Sequence, residues 1–216
     1  MRHPFSDFNE LYERGLERSE MNEATLRRPR FYNLVQFFSL SRGIPGDTAE
    51  VGCFRGLSSF LLCHAARTVK PDFAGEGHHI IDSFEGLSAP TKEDDLDERM
   101  QGRFSDTSVE HVRRTLGEFP NVNIIKGWVP QAFSLLPELN YRFVHIDVDL
   151  YNPTRACLEY FYPRVARGGV IVVDDFGPWP QGGKYVGCTR AVTGFCEAND
   201  IRFAAINTGN AVIIKR

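Results

Sequence analysis

From about residue 47 onward the chain alternates short apolar runs with amphipathic segments, and this alternation constrains the fold more than any other feature. Apolar runs predict strands, and apolar residues at helical spacing predict the helices between them. Strands that alternate with helices form a mostly parallel sheet covered by helices on both faces, so we expect an α/β fold. The predicted strands are 48–53, 79–84, 122–126, 143–149 and 170–175, and the predicted helices are 57–68, 109–119, 153–165 and one starting near Cys188.

The two ends of the chain differ from this alternating pattern. The first 45 residues are typical of helices, and Pro45-Gly46 ends them, so we expect an N-terminal helical segment over 1–46 and the main domain over 47–216. Near the C-terminus, runs at 202–206 and 211–215 flank Thr208-Gly209-Asn210, which is a strong hairpin signal. The pattern therefore predicts seven strands, the last of them paired antiparallel. An ordinary dinucleotide-binding fold lacks that hairpin.

Composition excludes several classes of protein. The 216 residues carry a net charge of −3, without the basic excess of a nucleic-acid binder, and the run Arg27, Arg28 and Arg30 is interpreted as a solvated helix end. No stretch approaches the roughly 20 apolar residues of a membrane helix, so we expect no membrane partner. The five cysteines lack metal-ligand spacing, which predicts reduced thiols in a cytoplasmic protein.

A glycine turn follows the first predicted strand, in the sequence AEVGCFRGLSSF. Gly52 and Gly56 would allow a tight turn and a close approach of the backbone to a ligand. Their spacing is not the Gly-x-Gly-x-x-Gly of a dinucleotide site, and Glu50 would repel a pyrophosphate but attract an ammonium group. A tight turn and helix start without any ligand is the alternative.

An acidic residue ends the second predicted strand, in the sequence IIDSFEGL. Asp82 is placed to accept hydrogen bonds from the two hydroxyls of a ribose, as acidic residues at that position do in nucleoside-binding α/β folds. A strand-terminal aspartate that only caps a turn is the alternative. Trp128, after the third strand, is a candidate to stack on an adenine, with plain packing as its alternative.

Four aspartates follow two neighbouring predicted strands. If the strand extends to 149, His145, Asp147 and Asp149 project to one face, and Asp174 and Asp175 end the next strand. The carboxyl ends of parallel strands share one edge, where α/β folds bind ligands. Crowded carboxylates require a cation or raised pKa values, so the pattern favours magnesium or another hard cation. A solvated strand end is the alternative.

With these residues in view, the chain resembles the macrocin O-methyltransferase (TylF-like) family of bacterial sugar O-methyltransferases. The resemblance runs from about Thr48 to Phe195, through EVGCFRGLSS, IDSFEGLSAPTKED, KGWVPQAF, HIDVDLYNPTRACLEYFYPRVARGGVIVVDDFG and GCTRAVTGF. It implies a Rossmann-like class I methyltransferase fold and S-adenosylmethionine as the cofactor. It also implies methylation of a sugar hydroxyl on a small molecule, assisted by Mg²⁺ or a similar divalent cation. A homo-oligomer is compatible with it.

The resemblance also implies roles for individual residues. Asp147, Asp174 and Asp175 match metal ligands, and Asp149 matches a proposed general base. The segment 88–105 matches a lid-like insertion that is often helical. Independently of the resemblance, Trp179 and Tyr185 lie in the loop after Asp175 and are candidates to wall the acceptor pocket, with a flexible, exposed loop as the alternative. The expected cofactor-binding residues are Glu50, Gly52, Cys53, Gly56, Asp82, Ser83, Trp128 and Asp147.

Three other functions remain as alternatives. A nicotinamide-dependent oxidoreductase is disfavoured by the glycine spacing and by the terminal hairpin. A catechol-type O-methyltransferase would use the same metal on an aromatic diol. A cofactor-binding protein without catalysis would not need all four aspartates. The loop GPWPQGGKYVGC is longer and richer in glycine than the resemblance leads us to expect, which leaves the acceptor open.

Overall fold

The computed structural model describes residues 7–177 and 184–216, and its centre is a seven-stranded sheet with strand order β3-β2-β1-β4-β5-β7-β6. Strands β1 to β5 pair in parallel, and β7 pairs antiparallel with both β5 and β6. The predicted mostly parallel sheet with a closing hairpin is confirmed. The strands are β1 Asp47–Val51, β2 His78–Asp82, β3 Asn123–Lys126, β4 Tyr141–Ile146, β5 Val165–Val173, β6 Phe203–Ile206 and β7 Asn210–Ile214.

Six α-helices lie in the described ranges, together with two short 3-10 turns at Glu98–Met100 and Gln131–Leu135. Ser108 caps the α-helix Val109–Thr115 by accepting a hydrogen bond from the amide of His111 at 3.1 Å, which satisfies a free N–H of the first turn. Over the described ranges, every helix is too short or too polar to cross a membrane. The helices are α1 Phe8–Ser19, α2 Arg27–Leu40, α3 Leu57–Arg67, α4 Val109–Thr115, α5 Tyr151–Arg164 and α6 Val186–Ala198.

The sheet separates two apolar cores. Helices α5 and α6 cover one face, and α1 to α4 cover the other, where Phe31 and Leu34 of α2 pack in one cluster with Phe60 of α3 and Phe143 of β4. The N-terminal helices therefore share a core with the sheet, although a sequence boundary can be drawn at residues 46 and 47.

Several element boundaries differ from prediction. Strand β4 ends at Ile146 rather than at residue 149, because the chain turns there and Asp149 adopts a left-handed conformation with φ of 60°. Strand β5 begins at Val165 and α4 ends at Thr115, so both bounds shift by several residues. Segment 88–105 contains one 3-10 turn and no α-helix, and its role as a lid-like insertion stays a prediction.

Candidate active site

A cavity of about 550 Å³ opens at the carboxyl ends of the parallel strands, where α/β sheets bind ligands. Its walls come from the turns after β1, β2, β4 and β5, from α2, and from segment 88–105. Most of the predicted site residues meet in this cavity. The predicted residues that line it are Gly52, Cys53, Asp82, Ser83, Trp128, Asp147, Asp149, Asp174, Asp175 and Tyr185.

The glycine turn is required by the protein's own backbone. Gly52 has φ of 82°, and a side chain there would overlap the carbonyl oxygen of Asp147 on the neighbouring strand end. Gly56, with φ of 84°, precedes α3 and is buried against Val112 away from the cavity. Gly52 therefore allows, first of all, the close approach of the backbone after β1 to the backbone after β4. Of the two glycines, only Gly52 borders the cavity.

The Asp82 carboxylate holds the glycine turn in place. One oxygen accepts hydrogen bonds from the amides of Cys53 and Phe54 at 2.8 and 3.1 Å, and the other accepts from the amide of Phe84 at 2.7 Å. The capping interpretation of Asp82 therefore describes real contacts. The two amides use both lone pairs of the first oxygen, but the oxygen that accepts from Phe84 keeps one lone pair, and the side chain lines the cavity, so the contact to a ribose stays a prediction.

Glu50 does not lie where a direct cofactor contact requires it. Its side chain is 0% exposed and lies outside the cavity lining. It accepts a hydrogen bond from Ser59 and pairs with Nδ1 of His145 at 2.7 Å. Burial alone would raise the pKa of Glu50, but these hydrogen bonds hold it below its ordinary value. The expectation that Glu50 attracts a ligand's ammonium group is corrected, because the sheet pairs it with His145 instead.

The four aspartates do meet at one edge of the sheet, although strand alternation is not the reason. Asp147 and Asp149 lie beyond the end of β4, and the loop geometry brings them to Asp174 and Asp175. Two groups of potential ligand atoms lie within 4.8 Å of one another, namely His145 with Asp147 and Asp174, and Asp147 with Asp149 and Asp175. Within the described residues, the predicted trio of Asp147, Asp174 and Asp175 is not one of these groups.

The crowding of these carboxylates raises their pKa values. Burial, followed by the charges of the neighbouring aspartates, raises the pKa values of Asp147 and Asp149 well above the ordinary range. Burial raises the pKa of Asp174 to about 6 against the opposing effect of Arg30. The folded protein therefore favours a cation or a proton at this place. Buried carboxylate oxygens that repel one another fit a divalent cation.

Arg30 of α2 is a site residue that sequence reasoning missed. Its Nη1 donates to Asp174 at 3.3 Å and to Asp175 at 3.2 Å, and its Nε donates to the carbonyl oxygen of Thr208 at 3.0 Å. Asn210 donates to the other oxygen of Asp174 at 2.6 Å. The interpretation of Arg30 as part of a solvated helix end is therefore wrong. Nothing local signals the contact, because Arg30 and Asp174 lie 144 residues apart in the chain.

Aromatic side chains border the two ends of the cavity. Tyr185 is 6% exposed, and its hydroxyl faces Asp149; burial, followed by the charges of Asp149 and Asp175, raises the pKa of that hydroxyl. The indole of Trp128 is 38% exposed and donates to Glu85 at 3.2 Å. The predicted role of Trp179 in walling the pocket lies outside the described residues.

Comparison with known proteins decides the family. Residues 11–213 match the family model of the macrocin O-methyltransferases (TylF), which covers nearly the whole chain. The chain belongs to the TylF family. The fold agrees, because the solved structure of the O-methyltransferase NovP superposes with a TM-score of 0.71 at 24% identity, over 86% of this chain and 79% of that chain.

Two curated relatives give the family more detail. The 8-demethyl-8-(2,3-dimethoxy-alpha-L-rhamnosyl)-tetracenomycin-C 4'-O-methyltransferase of Streptomyces olivaceus is 30% identical over 146 residues, which are 63% of this chain and 55% of that protein. The demethyldecarbamoylnovobiocin O-methyltransferase of Streptomyces niveus is 27% identical over 146 residues, again 63% and 55%. This TylF-family chain thus spans about half the length of the curated relatives that it matches.

Proposed function

We propose that this chain is an S-adenosylmethionine-dependent O-methyltransferase that acts on a hydroxyl of a sugar or glycosylated small molecule. The observation that carries the proposal is that two sets of residues meet in one cavity. The glycine turn and Asp82 line this cavity, and so do the four crowded aspartates. Membership of the TylF family supports the reaction class, and the relative named for a rhamnosyl compound supports a sugar acceptor.

The cofactor side of the cavity follows from the residues that line it. Gly52 and Cys53 present the turn after β1, and Asp82 and Ser83 present the turn after β2, next to the indole of Trp128. We assign the nucleoside of S-adenosylmethionine to this side, with the Asp82 carboxylate toward the ribose and Trp128 toward the adenine. Asp147 belongs to the aspartate cluster and also lines the cavity, so we assign it a contact with the cofactor as well. Glu50 and Gly56 support this side from behind, without touching the cofactor.

The acceptor side is assigned to the aspartates. The family resemblance assigns Mg²⁺ or a similar divalent cation to Asp147, Asp174 and Asp175, which are distributed over the two compact groups and would have to draw together around the ion. When bound, that cation would supply Lewis acidity that lowers the pKa of the acceptor hydroxyl. Arg30 would need to share or release the oxygens of Asp174 and Asp175, which it contacts in this structure.

Asp149 is proposed as the group that takes the acceptor proton. Its side chain is 9% exposed, and burial together with Asp175 raises its pKa well above that of a free carboxylate. A cation that neutralises Asp174 and Asp175 would remove much of this repulsion, so Asp149 would be ionised and able to accept the proton. As the oxygen loses its proton to Asp149, the methyl group passes from the sulfonium to that oxygen, and S-adenosylhomocysteine leaves. Arg103 and Phe104 of segment 88–105 border the cavity and would limit the entry of water.

The test is transfer of a labelled methyl group from S-adenosylmethionine to a panel of glycosylated acceptors, with an aromatic diol in parallel. We expect transfer to a sugar hydroxyl, and loss of transfer in chelator while cofactor binding persists. Full activity in chelator would remove the metal from the proposal. Preferred methylation of the diol would replace the sugar by a catechol-type acceptor. Absence of transfer to every acceptor would favour a cofactor-binding protein.

The role of Asp149 has its own test. Asp149→Asn should lower kcat by about 10²- to 10⁴-fold, the usual contribution of a general base, while cofactor affinity stays unchanged. The control is Asp97→Asn, because Asp97 lies in segment 88–105 with an exposed side chain paired with Arg99. Near-normal turnover of Asp149→Asn would show that another group accepts the proton.

A further inference from the structure

A chain of buried polar side chains runs beneath the aspartate cluster. Nδ1 of His145 pairs with Glu50 at 2.7 Å, Ser59 donates to the other oxygen of Glu50, and Ser59 also contacts Nε2 of His78 at 2.9 Å. Nδ1 of His78 in turn contacts the hydroxyl of Thr48 at 2.8 Å. All five side chains are at most 5% exposed. Such burial is unfavourable unless every hydrogen-bonding group is satisfied.

The direction of each hydrogen bond follows from one group. A Glu50 carboxylate only accepts, so Ser59 gives its single proton to Glu50, and Nδ1–H of His145 donates to the other oxygen. Ser59 must then accept from Nε2–H of His78, which leaves Nδ1 of His78 to accept from the Thr48 hydroxyl at 2.8 Å, the shorter of that hydroxyl's two contacts, since it also reaches the carbonyl oxygen of Gly77 at 3.3 Å. In this pattern Nδ1 of His145 carries the proton, and Nε2 of a neutral imidazole keeps a free lone pair.

His145 stands at the end of this chain, next to the aspartates. A ring nitrogen of His145 lies within 4.8 Å of carboxylate oxygens of both Asp147 and Asp174. His145 is 1% exposed, and the only hydrogen bond that the described residues give it is the one to Glu50. Histidines that bind metals donate their second ring N–H to a carboxylate, which fixes the ring and strengthens the ligand. The pair of Glu50 and His145 has this arrangement.

We propose that His145 supplies a nitrogen ligand to a divalent ion held with Asp147 and Asp174, and that Glu50 is the positioning residue that orients the imidazole. The proposal rests on the metal site of the proposed function, but it changes the chemistry of that site. Three aspartates alone would suit Mg²⁺ or Mn²⁺, whereas an imidazole nitrogen shifts the preference toward Zn²⁺, Fe²⁺ or Ni²⁺. The acceptor oxygens would then complete a coordination shell that is partly nitrogen.

The experiment uses Mn²⁺ as the probe and needs no acceptor. Pulsed EPR of the full chain loaded with one equivalent of Mn²⁺ detects ¹⁴N nuclei bound to the ion. We expect a ¹⁴N coupling in the natural protein that changes to a ¹⁵N coupling when the histidines are ¹⁵N-labelled. The coupling should be lost in His145→Gln and kept in His79→Gln, because His79 pairs with Asp47 at the opposite end of the sheet. Labelling of the unchanged protein also gives an answer if a variant fails to fold.

Glu50→Gln tests the positioning role separately. We expect the ¹⁴N coupling to remain but the affinity for Mn²⁺ to fall by about 10- to 100-fold, as is usual when a group that orients a metal ligand is changed. Unchanged Mn²⁺ affinity in Glu50→Gln would remove Glu50 from the proposal. Bound Mn²⁺ without any ¹⁴N coupling would overturn His145 as a ligand and leave metal-assisted methylation standing. Failure of Mn²⁺ to bind at all would overturn this proposal and the metal site of the proposed function together.

Discussion

The replacement Arg30→Leu in the metal-free protein tests how the aspartate cluster is balanced. The Arg30 side chain is 28% exposed and contacts the side chain of Asp174, which is 4% exposed. Leucine keeps an apolar stem on α2 but removes the positive charge and its three hydrogen bonds, to Asp174, Asp175 and Thr208. We therefore expect the variant to be less stable than the natural chain whenever no metal is bound.

The magnitude can be worked from the pKa of Asp174. With Arg30 present that pKa is about 6, so at pH 7 the ionised form is favoured by on the order of 1 kcal/mol. Without Arg30, the aspartate cluster can bind a proton instead. The electrostatic part of the loss in unfolding free energy therefore cannot exceed about the cost of protonating Asp174. The lost hydrogen bonds add about 0.5–1 kcal/mol each. The total is about 3–4 kcal/mol, which corresponds to a fall in Tm of roughly 6–16 °C for a chain of this size.

The pH dependence has a definite sign. Because the folded pKa of Asp174 is raised from its ordinary 3.8 to about 6, the stability that depends on its protonated form is present below pH 4 and is lost as pH rises through 6. Loss of Arg30 raises this pKa further. The difference in stability between Arg30→Leu and the natural chain should therefore grow from pH 5 to pH 7.5.

The assay is thermal unfolding followed by calorimetry, in chelator and in excess Mg²⁺, at pH 5 and pH 7.5. Mg²⁺ should restore most of the lost stability, since it neutralises the same carboxylates. Arg28→Leu is the control, because Arg28 lies on the same helix and pairs with Glu13 and Glu23 at the surface, where ion pairs contribute about 0–1 kcal/mol. Equal Tm values for Arg30→Leu and the natural chain in chelator would refute the electrostatic argument. So would a loss that Mg²⁺ fails to reverse.

Three further predictions concern the same cavity. Gly52→Ala should destabilise the chain by about 3 kcal/mol or more, because it adds a clash with Asp147 to backbone strain. The control Gly43→Ala, with φ of 78° and open space around it, should cost about 1–2 kcal/mol. Equal unfolding midpoints of the two variants would contradict this prediction. Asp82→Asn should weaken S-adenosylmethionine binding about tenfold or more in a titration, since it loosens the turn at Cys53 and Phe54. Unchanged affinity would remove Asp82 from the proposed cofactor site. Mg²⁺ affinity measured by calorimetry should fall as pH drops below about 6, because the raised pKa values let protons compete with Mg²⁺ for the aspartates. An Mg²⁺ affinity that stays constant from about pH 5 to 8 would contradict the repulsion among these carboxylates.

Much of the fold could be predicted because its signals are local. Apolar runs and helical spacing repeat over short distances, and Thr208-Gly209-Asn210 marks the final hairpin by turn chemistry alone. The end of β4 could not be placed in this way. The alternation of apolar and acidic residues continues through HIDVDLY, although the strand stops at Ile146 and the backbone turns at Asp149. The aspartates were still predicted to meet, because the ends of parallel strands converge whether or not the last residues are in strand.

The contacts that decide how the site works depend on pairing between distant elements. Glu50 was assigned to a ligand because it precedes a glycine turn, but the register of β1 against β4 places it opposite His145. Arg30 belongs to a helix whose sequence shows no acidic partner, and only the packing of α2 over the sheet brings it to Asp174. Neither register nor helix packing leaves a signal in residue spacing, so these two roles required the structure.

These contacts imply that α2 and the proposed metal site are energetically coupled. Arg30 neutralises Asp174 and Asp175, the same carboxylates that are proposed to hold the ion, so the stabilisation from Arg30 and from a divalent cation should not add. If either the Arg30 guanidinium or the metal ion is already in contact with the carboxylates, less repulsion among them remains for the second cation to relieve. Bound metal should then loosen the contact of Arg30, and removal of Arg30 should tighten metal binding once the protein is folded. Since Arg30 also holds the carbonyl of Thr208, a change in metal occupancy would reach the β6–β7 hairpin through α2.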